Sequence, residues 1–161
     1  MTFNWFNGWK FLHLVGIFGF LICHGVSMFV LYRIRNVQLN RAKISELISF
    51  SGVTTMPMYV SLGVLVAGGV GAAITISAFS HPWLWTSIAI LLITVGLMAA
   101  VASPYFKQIT AACEIRPSGV PRKADEELDA LLHGPTTTRI TVIGSVGLVA
   151  ILYLMIFKPW P

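Results

Sequence analysis

The chain has 161 residues, of which 56% are hydrophobic and 11% charged, with a formal net charge of +5. Soluble domains carry about a quarter of their residues as charged side chains, so the composition excludes an ordinary soluble domain and predicts a membrane protein. The acidic residues lie outside the apolar stretches, and most basic residues flank those stretches. This pattern is typical of loops at a membrane surface and argues against a nucleic-acid-binding face.

Four apolar stretches are long enough to span a bilayer, which needs about 20 apolar residues per helix. They cover residues 11–32, 56–79, 83–105 and 140–157, and none contains Asp, Glu, Lys or Arg. The first stretch is too long for a cleavable signal and is interpreted as a retained helix. The sequence therefore predicts an all-α membrane protein, a four-transmembrane-helix bundle, with residues 1–161 as one integral membrane domain and polar connections at 33–55 and 106–139.

The basic residues are unevenly distributed between the two ends of the predicted bundle. Lys10 and Lys158 lie at the end that carries both termini. The opposite end carries Arg33, Arg35, Arg41, Lys43, Lys107, Arg116, Arg122, Lys123 and Arg139. Because the side richer in Lys and Arg stays in the cytoplasm, both termini are predicted on the non-cytoplasmic side.

Both polar connections contain a predicted short helix. In residues 41–52, the side chains of Ile44, Leu47 and Ile48 share one helical face. This predicts an amphipathic helix resting on the cytoplasmic membrane surface, or alternatively a docking surface for a soluble partner. Residues 124–134 have acids early and Gly134 at the end, which predicts a second short helix.

The second apolar stretch is rich in small residues spaced four apart. Examples are Ala67 with Gly71 and Gly68 with Ala72. Such spacing lets helix backbones approach closely in lipid, so we expect this helix to pack against the first. The alternative is that the glycines leave room for a flat cofactor.

A stripe of polar and small residues runs along the first apolar helix. At 100° per residue, one face holds His13, Gly16, Phe20, His24 and Ser27. Polar groups are costly in hydrocarbon, so this stripe is expected to face the bundle interior. An intramembrane histidine indicates either a functional site or a neutral side chain bonded to a backbone carbonyl or hydroxyl.

Histidine and methionine spacing suggests two cofactor arrangements. His13 and His81 fall at the same predicted outer level, where they could hold b-type haem or, as the weaker alternative, copper. His24 lies near mid-membrane without a histidine at its level, so a haem there needs a second chain or a methionine ligand. The methionines at comparable depth, as weak metal ligands or as core packing, are Met28, Met58 and Met98.

The segment KFLHLVGIFGFLICHG resembles the first helix of the CopD-like group of small bacterial membrane proteins. Leu12, His13, Gly16 and Gly19 carry the match, while Phe18-Gly19-Phe20 stands where the group has Trp-x-Gly-Gly. The four-helix layout and WLWTSIAILLITVGLMAAVASPYFKQI are similar to an uncharacterised bacterial family in that neighbourhood. The resemblance implies a multi-pass protein of the prokaryotic inner membrane and points to copper or haem chemistry.

Two functions of different classes follow from the sequence. The first is a non-catalytic accessory subunit of a larger membrane complex, respiratory or photosynthetic, with the lipid bilayer and other membrane subunits or further copies of itself as partners. The second is an electron-transfer protein that holds haem or copper through His13, His24 or His81. The small size and the lack of catalytic motifs favour the first.

Overall fold

The computed structural model describes residues 4–37 and 39–160, and nearly all of this chain is helical. The helices are α1 Trp5–Arg35, α2 Arg41–Val53, α3 Thr55–Thr75, α4 Pro82–Cys113, α5 Asp125–His133 and α6 Thr136–Phe157. A 3-10 turn at Ala78–Ser80 joins α3 to α4. The described residues contain no β-strand, and one isolated bridge links Ile115 to Pro121 in the loop before α5.

Four helical segments are long and apolar enough to cross a membrane: Trp5–Arg35, Arg41–Thr75, Pro82–Cys113 and Asp125–Phe157. This confirms the predicted all-helical chain with four helices of membrane-spanning length and composition.

The helices differ from the apolar stretches mainly at their ends. α1 begins at Trp5 because the Asn4 side chain accepts hydrogen bonds from the backbone N–H groups of the first helical turn. α4 runs to Cys113 and has 32 residues, or about 48 Å, which exceeds the roughly 30 Å hydrocarbon core. α3 stops at Thr75, where Ser77 takes a left-handed conformation with φ 54°.

α1 and α3 form the most extensive helix contact in the molecule. Their backbones touch at Gly16 and Gly68, where an added Cβ would lie 2.3 Å from the Leu65 nitrogen and 2.4 Å from the His13 nitrogen, respectively. The predicted packing of the small-residue helix against the first helix is thus confirmed. Backbone and side-chain atoms of the neighbouring helix occupy the space beside these glycines, as is usual for close helix contacts in lipid.

α4 and α6 form the second extensive pair. Here Gly147 receives the side chain of Thr94, since an added Cβ would lie 2.3 Å from its hydroxyl oxygen. The two pairs contact each other much less, through α1 and α6. The Tyr32 hydroxyl, for example, lies 2.9 Å from the Thr141 hydroxyl. The bundle is therefore two tight helix pairs placed side by side.

α2 and α5 cover one end of both pairs, and we call this region the end layer. Its buried cluster is Val30, Leu31, Ile34, Ile44, Ile48, Tyr105, Ile109, Ala112, Cys113, Leu128, Leu132 and Ile140. Ile44 is fully buried and Ile48 nearly so, so the apolar face of α2 packs on the chain itself. The prediction that this face rests on the membrane surface is wrong, because α1, α4 and α5 supply the apolar surface that it covers.

Arg41 holds the end layer together from the first residue of α2. Its side chain is only 10% exposed, and its guanidinium donates to the carbonyl oxygens of Ala112 and Lys123. It also lies 2.5 Å from the Asp125 carboxylate at the start of α5. One side chain thus joins the end of α4 and the starts of α2 and α5.

We expect Arg41→Ala to destabilise the protein by about 2 kcal/mol or more, because two carbonyls and a carboxylate lose a charged donor. The matched control is Arg122→Ala, which breaks an exposed ion pair with Glu114 and should cost no more than about 0.5 kcal/mol. Thermal unfolding in mild detergent measures both. Equal losses in the two variants would contradict the role given to Arg41.

Candidate functional site

The polar stripe of α1 faces the interior of the bundle, as predicted, but each part meets a different helix. His13 and Gly16 face α3. His24 faces α6 near Gly144. Ser27 accepts a hydrogen bond of 3.1 Å from Ser51 of α2. The stripe is therefore a series of separate contacts at successive depths.

His13 is engaged by the backbone of α3. Its Nδ1 lies 2.7 Å from the Leu65 carbonyl oxygen, so Nδ1 carries the proton and donates it. The ring sits over Gly69, where an added Cβ would be 2.9 Å from Nδ1. This arrangement satisfies one ring nitrogen inside the α1–α3 contact and leaves Nε2 as the only atom that could bind a ligand.

His81 lies at the start of α4, beyond the 3-10 turn. Its ring stacks against Trp83 with 6.4 Å between ring centres. His13 lies opposite Gly68, so roughly 10 Å of α3 separates its level from the end of that helix at 1.5 Å per residue. Among the residues the structure describes, no contact joins the two histidines, and the predicted His13–His81 site remains a prediction with the two rings seated on different neighbours.

His24 lies where the two helix pairs meet. An added Cβ on Gly144 would be 3.3 Å from His24 Nε2 and 3.9 Å from the sulfur of Met98. The imidazole of α1, the thioether of α4 and the bare backbone of α6 thus converge on one point. In residues 4–37 and 39–160 the His24 ring has no hydrogen-bond partner and stacks on Phe20 at 5.6 Å.

The space beside His24 decides which group would fit there. The backbone of α6 comes close to the His24 ring at Gly144, where even an added Cβ would be a tight fit at 3.3 Å from Nε2. A metal ion is bound about 2.0 to 2.3 Å from nitrogen and sulfur ligands, so it needs far less space between α1 and α6 than a porphyrin plane does. Imidazole and thioether together suit Cu(I). Because His and Met also ligate haem, it is the limited space, and not the donor set, that favours copper over haem at this point.

The three methionines differ in how they relate to His24. Met98 shares the Gly144 contact with it. Met28 packs on the buried cluster of the end layer, one helical turn after His24. Met58 is half-buried in the first turns of α3. No group of three or more His, Cys, Asp or Glu side chains that could hold a metal occurs in the described part of the chain.

The position of Gly144 beside His24 is not predicted from the sequence. The signal that could have revealed it is the pair Gly144 and Gly147 within an otherwise bulky apolar stretch. Those two glycines mark the sides of α6 that approach α1 and α4.

We expect His13→Ala to destabilise the protein by about 1–3 kcal/mol, because the half-buried hydrogen bond to the Leu65 carbonyl is lost and a cavity forms beside Gly69. His81→Ala removes a half-buried ring that stacks on Trp83 and should change stability by no more than about 0.5 kcal/mol. Thermal unfolding of both variants, without added metal, provides the comparison. A larger loss in His81→Ala would argue against this assignment.

Comparison with protein-family models, curated proteins and solved structures finds no match to this chain.

Proposed function

We propose that the chain is a non-catalytic accessory subunit of a larger membrane complex, such as a respiratory or photosynthetic one. The observation that carries the proposal is Gly96, an exposed glycine of α4 that no other described residue approaches. An added Cβ there would meet nothing within 4 Å.

Glycine has a cost in a helix, about 1 kcal/mol relative to alanine, and in membranes it is commonly found where another helix approaches. Gly16, Gly68 and Gly147 follow this pattern, since a neighbouring residue would lie within 3 Å of an added Cβ at each. Gly96 has no such neighbour, a property that it shares with Gly25 on α1 and Gly63 on α3. An unfilled glycine on an exposed helix face favours a contact with a helix from another chain.

Small residues recur around Gly96 on the outer face of α4, beside the larger exposed side chains of Leu92 and Ile93. Ala89, Gly96, Ala100 and Ser103 recur at intervals of seven, four and three residues, which places them on one side of the helix. All four are exposed. A stripe of small side chains on a membrane helix allows close approach of a partner helix, and it matches the type of contact that joins α1 to α3.

The location of the protein is part of the same proposal. The end layer gathers the basic residues at the ends of α1, α4 and α6, which supports a cytoplasmic position for that end by the positive-inside rule. With an even number of crossings, this proposal has both termini on the opposite side. The resemblance to CopD-like bacterial proteins supports the inner membrane of a prokaryote.

The test compares Gly96→Leu with Gly96→Ala in the full-length chain, purified from its native membrane in mild detergent. We expect wild type and Gly96→Ala to co-purify with the same partner, while Gly96→Leu loses it by about tenfold, because a bulky side chain blocks close helix approach. Val146→Leu, at an exposed position on α6, is the control for bulk facing lipid.

Native mass spectrometry of the same preparations identifies the partner. A different membrane protein would support the accessory function, and a second copy of the chain would replace it with a homo-oligomer. If all four preparations are stable monomers, the proposal fails.

A second candidate function is metal-based electron transfer, and the convergence of His24 and Met98 near Gly144 favours it. In this version the two side chains hold a copper ion between the helix pairs, where a bound Cu(I) ion would supply one-electron redox chemistry. The chain's own contribution is to position one ligand on α1 and one on α4. Close packing against α6 excludes water from one side of the site.

We expect His24→Ala and Met98→Leu each to weaken Cu(I) binding by about tenfold or more in anaerobic competition titrations, because each removes one of two protein ligands. His81→Ala serves as the control and should bind copper like wild type. Unchanged binding in both test variants would eliminate the copper site. An absorption spectrum of the purified protein tests haem separately: a Soret band with sharp α and β bands on reduction, lost in His13→Ala alone, would assign haem to His13 instead.

A further inference from the structure

A polar cavity opens between the end of α1 and the start of α2. Its volume is about 260 Å³, and it is lined by Arg33, Asn36, Val37, Asn40 and Lys43. It begins directly after Tyr32, the last residue of the first apolar stretch. In a helix that crosses the bilayer, this position lies at the level of the lipid headgroups.

The two basic side chains of the cavity have uncompensated charges. Arg33 and Lys43 are both exposed. Every ion pair in the described residues uses other basic side chains. Their neighbour Arg41 differs, because its guanidinium already pairs with Asp125 and donates to two carbonyl groups. The cavity therefore presents two positive charges that nothing in the described chain neutralises.

Asn40 and the start of α2 add hydrogen-bond donors beside these charges. The Oδ1 atom of Asn40 accepts from the Lys43 backbone N–H at 3.1 Å, so its amide NH₂ is turned away from the helix and can donate elsewhere. The first turn of α2 contains no acidic residue. The positive end of this 13-residue helix therefore contributes to the field of the cavity and favours an anion.

We propose that this cavity is a binding site for a phosphate group, carried either by an anionic phospholipid headgroup or by free phosphate. The site combines two cationic side chains with amide donors, which is the chemistry that recognises phosphate oxygens. Its position at the headgroup level gives a lipid phosphate direct access. The inference requires only the helical membrane chain and is independent of the accessory function.

The test measures binding to the full-length protein in a neutral detergent, using three probes separately: short-chain phosphatidylglycerol, short-chain phosphatidylcholine and inorganic phosphate. The test variant is the double substitution Arg33→Gln, Lys43→Gln. The matched control is Lys107→Gln, Arg139→Gln, which removes the same charge from two exposed basic residues elsewhere on α4 and α6. Circular dichroism verifies that both variants keep their helix content.

We expect saturable binding of phosphatidylglycerol that the test variant weakens by roughly tenfold or more, since two basic contacts are lost. The control should bind within about twofold of wild type, and phosphatidylcholine should bind more weakly to all three proteins. If inorganic phosphate reproduces the binding with the same residue dependence, the phosphate site holds and its source is a soluble phosphate. Equal losses of binding in the test and control variants would indicate diffuse electrostatic attraction and overturn the site. The proposal also fails if none of the three probes shows saturable binding.

Discussion

The close approach of α1 to α3 is the contact on which the rest of the bundle depends. In lipid, burying one apolar side chain against another gains little, since the lipid tails are equally apolar, so helices associate through tight packing of their backbones. Gly16 and Gly68 make that approach possible at two levels of the same contact. Without them, α1 could not bring His13 within hydrogen-bond distance of the Leu65 carbonyl.

The end layer is stabilised by a different balance of forces. There, large aliphatic side chains such as Ile44, Ile109 and Leu128 are fully buried, as in the core of a soluble domain where the hydrophobic effect operates. Arg41 anchors that core by joining three helix ends with one guanidinium. The two helix pairs contact each other little within the apolar region, so the end layer is the main structure that connects them.

The sequence predicts the apolar parts of this fold well, because charge-free stretches of about 20 residues have few alternatives to a spanning helix. It predicts the helix ends less well, since backbone hydrogen bonding in α4 continues beyond residue 105 into polar sequence, to Cys113. The sequence also does not predict that Ile44 and Ile48 are buried inside the protein. An amphipathic pattern shows that a face is apolar, whereas the identity of the surface that covers it depends on the arrangement of α4 and α5.

At the candidate site, too, the local sequence pattern predicts which face a residue lies on, and the tertiary arrangement decides what it contacts. The periodicity of α1 correctly places His13 and His24 on an interior face, but it does not identify which helices they meet. His13 is hydrogen-bonded to a backbone carbonyl of α3, and His24 and Met98 both approach the bare backbone of α6 at Gly144. A glycine can shape a site because it has no side chain. The sequence does not show which glycine has that role.

His24 and Gly96 are compatible features, because they lie on different surfaces of the same helix pairs. His24 sits between α1 and α6, close to Met98 on the inner side of α4, while Gly96 faces outward from α4. Met98 and Gly96 are two residues apart, and in a helix that spacing turns them about 200° from each other. A contact made by a partner helix at Gly96 would therefore press on the opposite side of α4 from the histidine.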